Sequence, residues 1–225
     1  GCQKVFGLVK SVGGSPGLGA QVVYSANAGS TCGSTPITTL AANEEPNGIA
    51  CFGDDLVVVS NDSLSHHYAD RDEILLGTET WQEQTGGYVA AHGPRAIWTL
   101  KPGYAWVVGV GGYVYFLSAV GDAVAVQDAG AATTQNLNDV HAYDEKHVLA
   151  VGAANAVIYT TDGATWTSVT GPAVAVALNC CWMASKTTWW IGTAGGQLFY
   201  TVNSGLTWTE KQFSGSGAGQ VRDIV

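Results

Sequence analysis

Short apolar or alternating runs of four to seven residues recur along the chain, each bounded by Gly, Asn, Asp, Ser or Pro. Alternation with a period of two presents one face of a pleated strand, and the bounding residues supply turn geometry, so the runs read as short antiparallel strands. Residues 137–170 carry four of them, at roughly 137–143, 147–152, 156–161 and 165–170. In order they are an inner, a second, a third and an outer strand. No stretch keeps a 3.6-residue period for two turns without Gly or a β-branched cluster, so no helix is expected.

The pattern repeats. Sliding the sequence by 41 places lays residues 137–160 on 178–201 without a gap, matching Leu137 to Leu178, Asn138 to Asn179 and Tyr159 to Tyr200. Carried backwards, the register gives degenerate units from Ala96 and from about Gly48, while the start of the chain (KVFGLVK, QVVYSAN, TPITTL) supplies second, third and outer strands without an inner one. The missing strand is expected at residues 221–225, because Asp223 falls two repeats after Asp139. Units of 40–50 residues with four strands each are the mark of propeller blades. The expectation is therefore an all-β, single-domain fold over residues 1–225: a five-bladed β-propeller of four-stranded antiparallel blades. Its blades are approximately 1–40 plus 221–225, 48–85, 96–128, 137–170 and 178–212, closed by strands from both termini in one blade. The rival is five blades cut from a six- or seven-bladed parent, which the start at Gly1 leaves open.

Composition narrows the partners. Nine Lys and Arg against 18 Asp and Glu give a net charge of −9, and no basic run interrupts it, so nucleic acid is not expected as a partner. Hydrophobic residues make up 46% of the chain, yet the longest nearly apolar stretch, residues 106–117, carries three glycines and is too short to span a bilayer as a helix. Membrane insertion is not expected. Five cysteines without a C-x-x-C spacing argue against a disulfide or metal scaffold. The chain begins Gly1-Cys2, and no targeting segment can be read from it.

Residues 201–208 (TVNSGLTW) and 25–32 (SANAGSTC) fit the pattern S/T-x-D/N-x-G-x-T-W, with Cys32 in place of Trp, and residues 160–166 (TTDGATW) fit it with one deletion. In these octamers the chain resembles the Asp-box, or BNR, propellers, which include sialidases, sortilin-like receptors and photosystem II assembly factors. The resemblance covers three of five blades by motif and nearly the whole chain by period. Physically the motif is a turn. Asp or Asn accepts backbone N–H groups two residues on, Gly takes a positive φ, and the Trp covers apolar surface between sheets. Ser25, Asn27, Gly29, Thr31, Asp162, Gly163, Thr165, Trp166, Asn203, Gly205, Thr207 and Trp208 are accordingly read as structural staples. The resemblance implies that they lie on the face away from the usual active site.

Sialidases of that family use three arginines on a carboxylate, and the chain has three, Arg71, Arg95 and Arg222. The family's Arg-Ile-Pro element is absent, however, and Arg71 sits in a charged run. The carboxylate pairs Glu44-Glu45, Asp54-Asp55 and Asp144-Glu145 read as solvated turns. Vicinal His66 and His67 on a strand point apart and find no third ligand nearby in sequence, so no metal is expected. Cys51, Cys180 and Cys181 fall on inner strands as small hydrophobes. No cofactor is called for.

What remains is a binding surface at the mouth of the central channel, built from loops 41–47, 86–95, 129–136, 171–177 and 213–220. Tyr88, His92, Arg95, Glu44, Glu45 and Asn47 are its bulky or charged members. Trp98 and Trp182, on inner strands, are candidates to stack on a sugar, with core packing as the alternative. The expectation is a non-enzymatic binding or structural module on a larger assembly, a virion or a secreted surface protein, that recognises a protein neighbour or a glycan. A lectin-like glycan binder is the second reading and a sialidase-like hydrolase the third. The basic patch of the photosystem assembly factors has no counterpart in the sequence of this acidic chain.

Overall fold

The computed structural model describes residues 5–9, 20–25, 31–40, 44–60, 65–211 and 219–224. Each repeat folds as a sequential antiparallel meander, because every turn is too short for anything but the neighbouring strand. The first sheet is three-stranded: β1 (Val5–Val9), β2 (Gln21–Ser25) and β3 (Gly33–Pro36). Four four-stranded sheets follow. They are β4 (Pro46–Phe52), β5 (Asp55–Ser60), β6 (Ser65–Asp70) and β7 (Gln82–Thr85); then β8 (Pro94–Lys101), β9 (Tyr104–Gly109), β10 (Tyr113–Leu117) and β11 (Ala125–Ala129). The last two are β12 (Leu137–Ala142), β13 (Val148–Gly152), β14 (Ala156–Thr160) and β15 (Thr167–Thr170), and β16 (Leu178–Met183), β17 (Trp189–Thr193), β18 (Leu198–Thr201) and β19 (Thr209–Lys211).

Burial explains the sequence of each strand. The second strands β5, β9 and β13 are apolar at consecutive positions and buried on both faces, whereas the outer strands β7, β15 and β19 are polar and mostly exposed. Only strands sandwiched between two other sheets lose both faces to the interior. Among the described residues the core has four parts, and each part joins two consecutive sheets. Val22 and Ile37 meet Leu56 and Val58; Val57 and Val59 meet Val107 and Tyr115; Trp106 and Val108 meet Val140 and Ala150; Leu149 and Val151 meet Met183 and Ile191. Sheets packed face to face in chain order, with their first strands innermost, make a propeller-like fold.

Two features depart from expectation. A six-residue helix, α1 (Arg71–Leu76), lies between β6 and β7, where none was expected. Asp70 caps it by accepting the N–H groups of Asp72 and Glu73, Gly77 closes it in the left-handed region, and Ile74 is its one buried side chain. Such a helix is made by its ends rather than by its periodicity, so an amphipathic pattern never forms. Second, residues 221–224 carry no strand pairing, and among the described residues β1 has no fourth strand beside it. The Ile224 N–H donates to the Asp223 side chain at 2.8 Å, a local bond that competes with a ladder.

Candidate functional site

Every inner strand of the four complete sheets has a β-bulge at the same place, one residue after its start. The unpaired residues are Asn47, Arg95, Asn138 and Asn179. A bulge re-aims the side chain of the extra residue, and here it turns four successive polar groups toward one opening. Arg222, in residues 219–224, reaches the same cavity. These five side chains, with Asn136, Gln220, Ala153 and Ala177, line a cavity of about 820 Å³. The lining holds two guanidinium groups and five carboxamides.

The carboxamides also hold the sheets together. Asn47 Nδ2 donates to Pro94 O at 3.3 Å, Asn138 Nδ2 to Leu178 O at 2.9 Å, and Asn179 Nδ2 to Val221 O at 3.1 Å. Three of the four sheets therefore reach the first carbonyl of the next inner strand or, for Asn179, the carbonyl of Val221. Val221 N–H further donates to Thr193 O at 3.1 Å. Inner strands of separate sheets share no ladder, so their edge groups need partners of this kind. On β12 the device runs deeper, with Asp139 Oδ2 accepting the Cys181 N–H at 2.8 Å and His141 Nδ1 accepting the Met183 N–H at 3.2 Å.

Three residues below the bulges, aromatic rings converge. The His141 ring lies 4.2 Å from that of Trp98 and 4.1 Å from that of Trp182, and the two indoles meet edge to face at 5.9 Å. Trp98 and Trp182 are half-buried in this trio, and their faces pack on His141. Burial pushes His141 down to about 4, so the ring is neutral near pH 7. Burial likewise pushes the Asp139 carboxyl up to about 7, against the Cys181 and Val140 N–H groups that hold it down and with repulsion from Asp223 adding to the rise.

The other sequence candidates lie elsewhere. Tyr88 is interior, edge to face with Tyr115 at 4.9 Å, and burial raises its hydroxyl far above the ordinary range. His92 is stacked on Tyr113 at 4.0 Å, with Nδ1 3.1 Å from Val110 O. Glu44 turns inward to the Ser60 hydroxyl and lies 3.4 Å from His67 Nε2, while Glu45 is exposed. His66 and His67 do point apart, His66 to Val120 O and His67 to Thr39 Oγ1. Of the sequence candidates, Asn47 and Arg95 are therefore at the cavity and Trp98 and Trp182 beneath it. Asn136, Asn138, Asn179, Gln220 and Arg222 were not singled out for binding. The signal for Asn138, Asn179 and Arg222 was present in the spacings of 48, 43, 41 and 43 residues that relate 47, 95, 138, 179 and 222.

The turns after the third strands lie at the far end of the sheets, against the inner-to-second turns. Asp162 Oδ1 accepts Ala164 N–H at 2.9 Å, Thr165 N–H at 2.7 Å and the Thr160 hydroxyl at 2.9 Å. Asn203 Oδ1 accepts Thr207 N–H at 3.0 Å and the Thr201 hydroxyl at 2.8 Å, and Gly163 and Gly205 both take positive φ. Trp166 Nε1 donates to Gln127 Oε1 at 3.2 Å and Trp208 Nε1 to Thr170 O at 2.9 Å, each reaching the preceding sheet. Asn27 and Gly29 lie outside the described residues; Ser25 is buried at the end of β2 and Thr31 is exposed.

No family model matches the chain, and no curated protein matches it significantly. Solved structures do. YCF48 from Cyanidioschyzon merolae aligns at 14% identity over 89% of this chain and 67% of its own, with a TM-score of 0.65. Virginiamycin B lyase from Staphylococcus aureus aligns at 12% identity over 90% of this chain and 66% of its own, with a TM-score of 0.72. That lyase with quinupristin aligns at 11% over 99% and 78%, again at 0.72. Both neighbours are β-propellers, and at these identities the likeness is one of fold.

Proposed function

We propose that the chain is a non-enzymatic recognition module whose ligand face is the channel mouth, and that it is an Asp-box propeller of five blades, with residues 221–224 as the inner strand of the first. The carrying observation is the set of equivalent bulges that aim Asn47, Arg95, Asn138 and Asn179 at one cavity, with Arg222 completing it. Closure is supported by Asn179 treating Val221 as Asn138 treats Leu178. The Asp162 and Asn203 turns support the family.

A lyase with this fold keeps an enzymatic alternative in view. Against it, the residues lining the cavity are amides, guanidinium groups and alanines, none of which accepts a proton or acts as a nucleophile near neutral pH. The partner is a neighbour in a larger assembly, such as a virion or a secreted surface protein, which suits a chain of 12% charged residues with small-residue loops. A glycan is the second reading, favoured by five carboxamides around one cavity, since amides both donate to and accept from hydroxyls. The test is incubation with a fluorogenic glycoside panel and with quinupristin. No turnover is expected, and turnover of either would overturn the non-enzymatic reading.

A further inference from the structure

Net charge and local charge disagree in this molecule. The chain carries −9 overall, yet among the described residues the cavity at the channel mouth has Arg95 and Arg222 in its lining and no carboxylate. Both side chains belong to exposed residues, and among the described residues neither forms an ion pair; Arg71, by contrast, is paired with Asp54. Asp223, next to Arg222 in the chain, accepts the Ile224 N–H at 2.8 Å, and burial holds the Asp139 carboxyl toward its protonated form. Asn47 Nδ2, Asn138 Nδ2 and Asn179 Nδ2 are committed to carbonyls, which leaves the two guanidinium groups as the strong free donors. The buried groups without a partner beneath the mouth, Trp98 Nε1 and His141 Nε2, are donors too.

Arg95 and Arg222 come from different inner positions and, in blade order, flank Asn47. One guanidinium satisfies both oxygens of a planar carboxylate, whereas a tetrahedral oxyanion keeps further oxygens for a second donor from another direction. We propose that the channel mouth binds a tetrahedral oxyanion, the phosphate or sulfate of a small hydroxyl-bearing ligand, between Arg95 and Arg222, with the carboxamide oxygens receiving its hydroxyls. The Trp98–His141–Trp182 trio lies three residues further along the inner strands, and a volume of about 820 Å³ admits a small molecule or a terminal group. This inference rests on the channel mouth being the recognition face.

Calorimetric titration with glucose 6-phosphate, glucose 6-sulfate, gluconate and glucose tests it, on the wild type and on Arg95→Gln and Arg222→Gln. Both substitutions are at exposed positions, and unchanged circular dichroism verifies folding. The phosphate or the sulfate is expected to bind, and which of them binds tighter identifies the source of the oxyanion. Each substitution is expected to weaken that binding by about tenfold or more, the loss of one charge-assisted donor group. Binding of glucose or gluconate as tight as either ester, affinity indifferent to both substitutions, or no binding of any probe overturns the inference while leaving a non-enzymatic module standing. Release of free phosphate or sulfate from a bound ester does the reverse, sparing the oxyanion site and overturning the non-enzymatic reading.

Discussion

Asp139 and His141, two residues apart on β12, are displaced in opposite directions by the same cause, removal from water. The His141 contribution is present above its ordinary 6.5 and is lost as pH falls toward about 4. The Asp139 contribution is present below its ordinary 3.8 and is lost as pH rises through about 7. Between these limits one group makes folding release a proton and the other makes it take one up, so their slopes oppose. Stability of the wild type measured by urea unfolding is expected to be nearly flat between pH 4.5 and 6 on the scale of about 1.4 kcal/mol per pH unit per proton. Asp139→Asn is expected to expose a stability that rises with pH across that window, and His141→Gln one that falls. Parallel profiles for the two variants would remove the opposition. A second residue-scale expectation concerns Trp166, buried between sheets and bonded to Gln127. Trp166→Phe is expected to cost about 1 kcal/mol for the lost hydrogen bond, and Trp166→Ala about 3–5 kcal/mol for the lost packing, by the same assay.

At the scale of the element, the bulge decides what the sequence does and does not reveal. Strand runs, their four-fold grouping and the 41-residue slide were legible because apolar strands bounded by turn residues leave a strong period. Alternation then fails at one point. Counting by twos puts Asn138 on the same face as Val140, but the bulge shifts the register between Leu137 and Asp139 and sends Asn138 toward the cavity. The same slip hides Asn179. Loop residues such as Tyr88 and Glu44 were misleading for the opposite reason: they turn inward to Tyr115 and to Ser60, contacts between residues far apart in sequence that no local pattern encodes. The bulge also depends on Gly152, paired with Leu137, where an added Cβ would strike the carbonyl oxygen of Asn136. Gly152→Ala is expected to lower stability by about 1–3 kcal/mol and to displace the side-chain amide resonances of Asn136 and Asn138. A variant with wild-type stability and unmoved resonances would show that the strands approach less closely there.

Across the whole molecule, the cavity exists only because distant segments meet. Arg95 and Arg222 are 127 residues apart, and no basic run in the sequence foretells their meeting. The charge count of −9 argues against extended polyanions as partners and is silent on a two-arginine pocket. Residues 219–224 are the hinge of this arrangement, since they bring Gln220 and Arg222 to the cavity and lie against Thr193 and Asn179. The most direct test is paramagnetic broadening from a nitroxide at position 222, using Arg222→Cys with Cys2, Cys32 and Cys51 changed to Ser. Cys180 and Cys181 are buried, and Cys180 is pushed up to about 12, so both are poor nucleophiles for the label. Amide signals at residues 47, 95, 138 and 179 are expected to broaden together, while the turns at 160–165 and 201–207 on the opposite face stay sharp. Broadening of those turns, or of residue 179 alone, would mean that the five positions do not surround one mouth.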